Sequence, residues 1–166
     1  MREPVRDRER LEHIKDAIKR IQDNVKTVSM DNLSSNVLVF YGIVKNIEII
    51  GEAAYNLTNA FRNSHKETPW KSVMSMRNIL VHDYYKIKES QIRYVIEDDL
   101  TPLLEQVIRY LNETDWSEWE QNEQAKAETA VHKSLMQTAW RMKNKGYEVK
   151  EIMSITGLTE EEIEGL

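Results

Sequence analysis

The chain has 166 residues, no cysteine, five glycines, three prolines and a net charge of −5. That length suits one domain with an appendage and is enough to bury a real core. The missing cysteines exclude disulfides and thiolate metal sites, and so little glycine and proline argues against a sheet-and-turn fold.

No run of about 18 apolar residues is present, and Met1 to Arg10 is charged where a secretion signal would be apolar. A cytoplasmic chain that neither spans nor enters a membrane is therefore expected. His13, His65, His82 and His132 are scattered without metal-ligand spacing, so neither a structural metal nor a cofactor is expected. The acidity is uneven. Residues 1–112 hold 17 Lys/Arg against 16 Asp/Glu, whereas residues 113–166 hold 6 against 12. A near-neutral body can carry a local basic cleft, but nothing resembles the broad basic stripe of a tight nucleic-acid binder.

The predicted elements are all helical. Leu11, Ile14, Ile18, Ile21, Val25 and Val28 recur at alternating spacings of three and four, which predicts a first helix from Arg6 to Val28 with a bundle seam. A second helix, capped by Asp31 or Ser34, is expected to run to Asn63 with Val44, Ile47, Gly51, Ala54, Thr58 and Phe61 on one stripe. Thr68-Pro69 opens a third helix, proline being tolerated in a first turn. Ser90 is expected to cap a fourth from Gln91 to Leu111, bent or restarted at Pro102. Four helices with short links predict an all-α antiparallel bundle over residues 1–112.

The third helix carries Arg77-Asn78-Ile79-Leu80-Val81-His82-Asp83-Tyr84 within an apolar run. His titrates near neutrality and can move a proton, and Arg stays charged and forks onto phosphate oxygens, so the set suits phosphate chemistry. On an ideal helix, five residues put Arg77 and His82 ~140° apart. They do not share a face, so the site is wide or is completed by a second surface, which favours a dimer cleft. An ordinary bundle helix with an ion-paired Arg and a carbonyl-bonded His has the same spacing.

The wording of the first 112 residues resembles the HepT-like branch of the HEPN ribonucleases. The likeness runs through Arg10-Leu11-Glu12-His13-Ile14, through Asn46 to Ala54 with Gly51-Glu52-Ala53-Ala54, and through Pro69-Trp70-Lys71. It continues in Met76-Arg77-Asn78, His82, Tyr84 and Ile96-Glu97-Asp98-Asp99-Leu100. Arg77, Asn78, His82 and Tyr84 match the family's Arg-polar-x-x-x-His-x-Tyr motif position for position.

The resemblance implies a metal-independent RNA endonuclease, the toxin of a HepT/MntA-type, type VII-like toxin–antitoxin pair. Arg77 and His82 would be catalytic across a homodimer cleft, leaving a 2′,3′-cyclic phosphate and a 5′-OH. Asn78 would orient the imidazole or the phosphate, or be a solvated amide. Glu52 would brace Arg77 or form a structural salt bridge. The resemblance also implies a minimal nucleotidyltransferase antitoxin that adenylylates Tyr84; otherwise Tyr84 and Tyr85 simply close the bundle end. A non-catalytic partner or regulatory subunit of such a nucleotidyltransferase is the alternative function.

Residues 113–128 read as an acidic linker whose indoles, Trp116 and Trp119, could dock back, and 129–166 as a helical, helix-turn-helix-like extension. A helix from Ala125 to Lys145 is expected to end at Gly146. Gly157 suits a positive-φ turn, and Thr159 should cap ahead of Glu162. The last helix offers Glu160, Glu161, Glu162 and Glu164 where a DNA-reading helix needs Lys or Arg, so protein docking or oligomerisation is favoured over DNA binding.

Overall fold

The computed structural model describes residues 6–82 and 88–166, with the side chains of residues 31 and 77–82 outside that description. The described chain is all-α. The first helix, α1 (Asp7–Val25), buries Leu11, Ile14, Ile18 and Ile21 as the spacing predicts. It packs on α2 (Val37–Tyr55) and on α6 (Leu100–Glu113), and α2 packs in turn on α4 (Trp70–His82), giving the expected antiparallel bundle.

The second helix differs from expectation at both ends. A 3₁₀ segment occupies Met30–Ser35, and Asn36, rather than Asp31 or Ser34, caps α2 by accepting a hydrogen bond from Val39 N at 3.2 Å. The helix stops at Tyr55, and a separate short helix, α3 (Asn59–Ser64), follows behind its own cap, Thr58. The break is stabilised by Arg62, whose Nη1 donates to the carbonyls of Ala54, Tyr55 and Leu57 at 3.0, 2.9 and 2.6 Å. Ala54 and Tyr55 are the last residues of α2, where orphan acceptors need partners, and Leu57 lies in the link to α3. Thr58 and Phe61 keep the helical stripe across the break, which hides it from periodicity.

The expected fourth helix is three pieces: α5 (Glu89–Tyr94), a π-helical turn (Val95–Asp99) and α6. Pro102 has no N–H for the carbonyl four residues back and its ring crowds that turn. The wider turn, in which Leu100 N bonds Val95 O, lets the helix pass the proline without ending.

Residues 6–116 and Ser117–Leu166 form two compact units. In the first, Trp116 is buried, its ring 5.9 Å from Phe61 and its Nε1 donating to Leu111 O at 3.0 Å. The second is built on α7 (Trp116–Asn144), α8 (Val149–Thr156) and α9 (Glu160–Glu164). Helix α7 starts nine residues before the expected Ala125, since no glycine or proline interrupts the stretch from 116 to 124. Ala139, Ile152, Leu158 and Ile163 form its small core.

Local signals in this unit are realised. Gly146, at φ 84°, ends α7 with Gly146 N on Lys143 O at 3.0 Å and Tyr147 N on Met142 O at 3.2 Å, the paired bonds of a Schellman cap. Gly157 takes φ 71°, and Thr159 and Glu162 form the reciprocal capping box. No described helix is long and apolar enough to cross a membrane.

Candidate active site

Helix α4 presents the motif. It starts behind Thr68 and Pro69, with Trp70 N on Thr68 O at 2.8 Å and Val73 N on Pro69 O at 3.2 Å. Trp70 and Val73 are buried, so their stripe faces the bundle, and Arg77 follows Val73 by one turn. Asn78 precedes His82 by one turn, and His82 is the last residue of α4. Along an ideal helix, Arg77 and His82 lie ~7.5 Å apart in height and ~140° apart in direction. The backbone thus groups Arg77, Asn78 and His82 on the final turns of one helix. Tyr84 lies outside the described residues.

Glu52 is half-buried on α2 and accepts a hydrogen bond from Asn56 Nδ2 at 2.9 Å. It lines a cavity of about 140 Å³ between α1 and α2 with Arg10, His13, Lys45 and Glu48, where Lys45 pairs with Glu48 at 3.0 Å. A second cavity, about 160 Å³, runs beside α4 and is lined by Ser72, Val73, Met76, Asp98, Asp99 and Pro102. Asp99 on the π turn has its carboxyl pushed above the usual range, first by burial and then by neighbouring Asp98. The π turn therefore sets an acid with a reluctant charge in a cavity shared with Val73 and Met76 of α4.

Just beyond the motif, Glu89 ties α5 to the 3₁₀ segment, accepting from Leu33 N at 3.0 Å, Ser34 N at 3.1 Å and Ser34 Oγ. Those bonds, Ser34's hydroxyl first, hold its carboxyl below the ordinary value.

At the other end of α4 is a group the sequence reading passed over. The His65 ring lies 4.2 Å from both Phe61 and Tyr110, and its Nδ1 is 3.0 Å from Phe61 O, which can only accept. Ser64 Oγ lies 3.1 Å from the same nitrogen. Tyr110 is buried with its hydroxyl 2.6 Å from Thr68 Oγ1 and donating to Glu67 Oε1 at 2.9 Å, and Arg109 pairs with the same carboxylate at 3.1 Å. His65, Glu67, Arg109 and Tyr110 line a cavity of about 580 Å³. The partners are about forty residues apart in sequence, so only His65-x-Glu67, a weak local signal, could have hinted at them. Among the described residues, no cluster of three or more His, Asp or Glu could hold a metal ion.

Comparison with known proteins gives a consistent result. The family model described as Ribonuclease HepT-like matches residues 14–111, which include Arg77, Asn78 and His82. A Methanocaldococcus jannaschii protein named as a gamma-glutamylcyclotransferase and, provisionally, an RNase is 30% identical over 105 residues, covering 63% of this chain and 47% of that protein. A protein of Caldanaerobacter subterraneus provisionally named as an RNase is 33% identical over 97 residues, 58% of this chain and 87% of its own length. A Thermococcus cleftensis protein provisionally named ribonuclease HepT is 28% identical over 93 residues, 56% of this chain and 84% of that protein. No solved structure matches.

Proposed function

Because the chain belongs to the HepT-like ribonuclease family, we propose that it is a metal-independent RNA endonuclease and the toxin of a toxin–antitoxin pair. The observation that carries the reading is the grouping of Arg77, Asn78 and His82 on the last turns of α4, inside the matched segment. In this reading His82 removes the proton of a ribose 2′-OH as that oxygen attacks the adjacent phosphorus. The bond to the 5′-oxygen breaks, and the leaving oxygen takes a proton from a second imidazole. Arg77 holds the phosphate while charge builds on its oxygens. The products are a 2′,3′-cyclic phosphate and a 5′-OH.

One motif histidine per chain and the ~140° divergence from Arg77 support a homodimer in which two α4 helices face one another. Asn78, one turn before His82, orients the imidazole, and Glu52, on the helix against which α4 packs, braces Arg77. Residues 1–112 form the catalytic part, 113–128 an acidic connector and 129–166 a docking extension that does not read DNA.

Tyr84 is the control point in this reading. A nucleotidyltransferase partner moves AMP from ATP to the tyrosine hydroxyl and releases pyrophosphate, setting a fixed anion two residues from His82, where substrate phosphate must approach. The test is to prepare the chain with and without one Tyr84-linked AMP, verified by intact mass, and to compare RNA cleavage. The reading predicts cleavage by the unmodified chain, a loss of at least a hundredfold on modification, and no modification of Tyr84→Phe. An unmodified dimer that cuts no RNA would leave a non-catalytic binding partner as the better description.

A further inference from the structure

The cavity at the start of α4, at the opposite end of that helix from the motif, is lined by His65, Glu67, Arg109, Tyr110, Glu113 and Thr114. Its Tyr110 wall is fixed before any ligand arrives. Tyr110 and the Thr68 behind it are each 2% exposed, Thr68 Oγ1 donates to Gln106 Oε1 at 2.8 Å, and the Tyr110 ring packs against both Phe61 and His65. A ligand seated there does not have to order these groups, and ordering is one of the main costs of binding.

The electrostatics of this cavity select a cation. Glu67 and Glu113 bring two carboxylates against the single guanidinium of Arg109, which is already engaged by Glu67 at 3.1 Å and lies 5.4 Å from the centre of the Tyr110 ring. The Glu67 carboxyl is held below its ordinary value, first by the Glu67 N–H and then by the Tyr110 hydroxyl, so it is charged at neutral pH. Glu113 has no hydrogen-bond or ion-pair partner among the described residues. It is also the last residue of α6, a helix of 14 residues whose final turn carries no basic side chain. The negative end of the helix dipole therefore adds to the carboxylates.

The same charges repel phosphate, which argues against RNA as the occupant. A divalent metal is disfavoured too, because no cluster of three or more His, Asp or Glu among the described residues could hold one. An alkylammonium fits better: its N–H groups need acceptors, and its methylene chain gains from contact with the His65 and Tyr110 rings. Two carboxylates on separate elements, one ahead of α4 and one at the end of α6, suit a cation with more than one ammonium. We infer that this cavity binds an aliphatic polyamine, the carboxylates of Glu67 and Glu113 accepting from its ammonium groups and the His65 and Tyr110 rings flanking its chain. The inference does not rest on the ribonuclease reading, since no lining residue belongs to the α4 motif.

The test is calorimetric titration of spermidine into the full chain at physiological ionic strength and about pH 8, where an ordinary histidine is neutral. The inference predicts one saturable site, weakened at least tenfold in Glu113→Gln and in Glu67→Gln. Affinity should be unchanged in Asp16→Asn, which removes an exposed acid of α1 outside the cavity. Glu113 is exposed, so helicity of its variant by circular dichroism should stay at the wild-type value. The inference is overturned by the absence of saturable binding, by undiminished binding in Glu113→Gln, or by an equal loss in Asp16→Asn. Magnesium that displaces spermidine at equal concentration would reduce the cavity to a diffuse ionic surface. A capped dilysine peptide that binds more tightly than spermidine would make it a docking site for a basic protein segment. Either result also overturns the inference.

Discussion

Asp7 and Thr58, 51 residues apart, are joined by two short hydrogen bonds: Thr58 N donates to Asp7 Oδ1 at 2.7 Å and Thr58 Oγ1 to Oδ2 at 2.6 Å. Asp7 is only 1% exposed, so the first residue of α1 pins the break between α2 and α3 from inside the protein. Removing the carboxylate leaves a part-buried N–H without its partner. Asp7→Ala is expected to lose ~2–3 kcal/mol of stability. Urea unfolding of Asp7→Ala, Thr58→Ala and the double variant should give a coupling above ~1 kcal/mol; simple additivity would show that the bonds contribute nothing.

Glu89 makes the same kind of tie at the other side of the motif. Its native pKa is depressed, so the stabilisation it gives the 3₁₀ segment is present above its ordinary value of 4.5 and is lost as pH falls through the lower native value. Amide exchange at Leu33 and Ser34, corrected for intrinsic rate, should be slow at neutral pH and lose its protection only under acid conditions. In Glu89→Gln the two amides should exchange fast at every pH. Equal protection in both proteins would disconnect the segment from Glu89.

Tyr110 gives the opposite pH dependence. Burial raises its pKa above 10.0, so the unfolded chain ionises first and native stability falls as pH rises from about 10 through the raised value. Tyr110→Phe keeps the ring between His65 and Trp70 and gives up the bonds to Glu67 and Thr68. It should cost ~1 kcal/mol at pH 7, and that deficit should shrink above pH 10. Denaturant midpoints measured at both pH values decide it. A constant deficit would contradict the burial argument.

Gly157 isolates backbone strain. At φ 71° an added Cβ would meet no heavy atom within 4 Å, so the cost of Gly157→Ala is conformational alone, ~1 kcal/mol. Gly157→Asn should cost less, because asparagine tolerates this region better. Thermal unfolding of the three proteins should rank them Gly, Asn, Ala; a stabilised alanine variant would rule out the left-handed turn.

The parts of the fold legible in the sequence were those written in local pattern. The α1 seam, the start of α4 behind Pro69, and the glycine and threonine caps of the second unit depend on spacing and on residues a few positions apart. The split between α2 and α3 was not legible, because Asp7 pins it from 51 residues away and the Arg62 bonds to Ala54, Tyr55 and Leu57 leave no mark in the spacing, while Thr58 and Phe61 preserve the stripe. Pro102 signalled a disturbance but not its form, a π turn that keeps the helix going. Of the candidate site, the linear order of Arg77, Asn78 and His82 on one helix could be read directly. The His65, Glu67 and Tyr110 network could not, because folding brings its partners together from about forty residues apart.

The proposal that α4 carries a ribonuclease centre is tested most directly by incubating unmodified protein with a mixed RNA pool in excess EDTA. His82→Ala and Arg77→Ala proteins are run in parallel, and the product ends are identified by mass. The account predicts cleavage that leaves 2′,3′-cyclic phosphate and 5′-OH ends and falls at least a thousandfold in each variant. Cleavage that persists undiminished in both variants, or that leaves 3′-OH and 5′-phosphate ends, would contradict it.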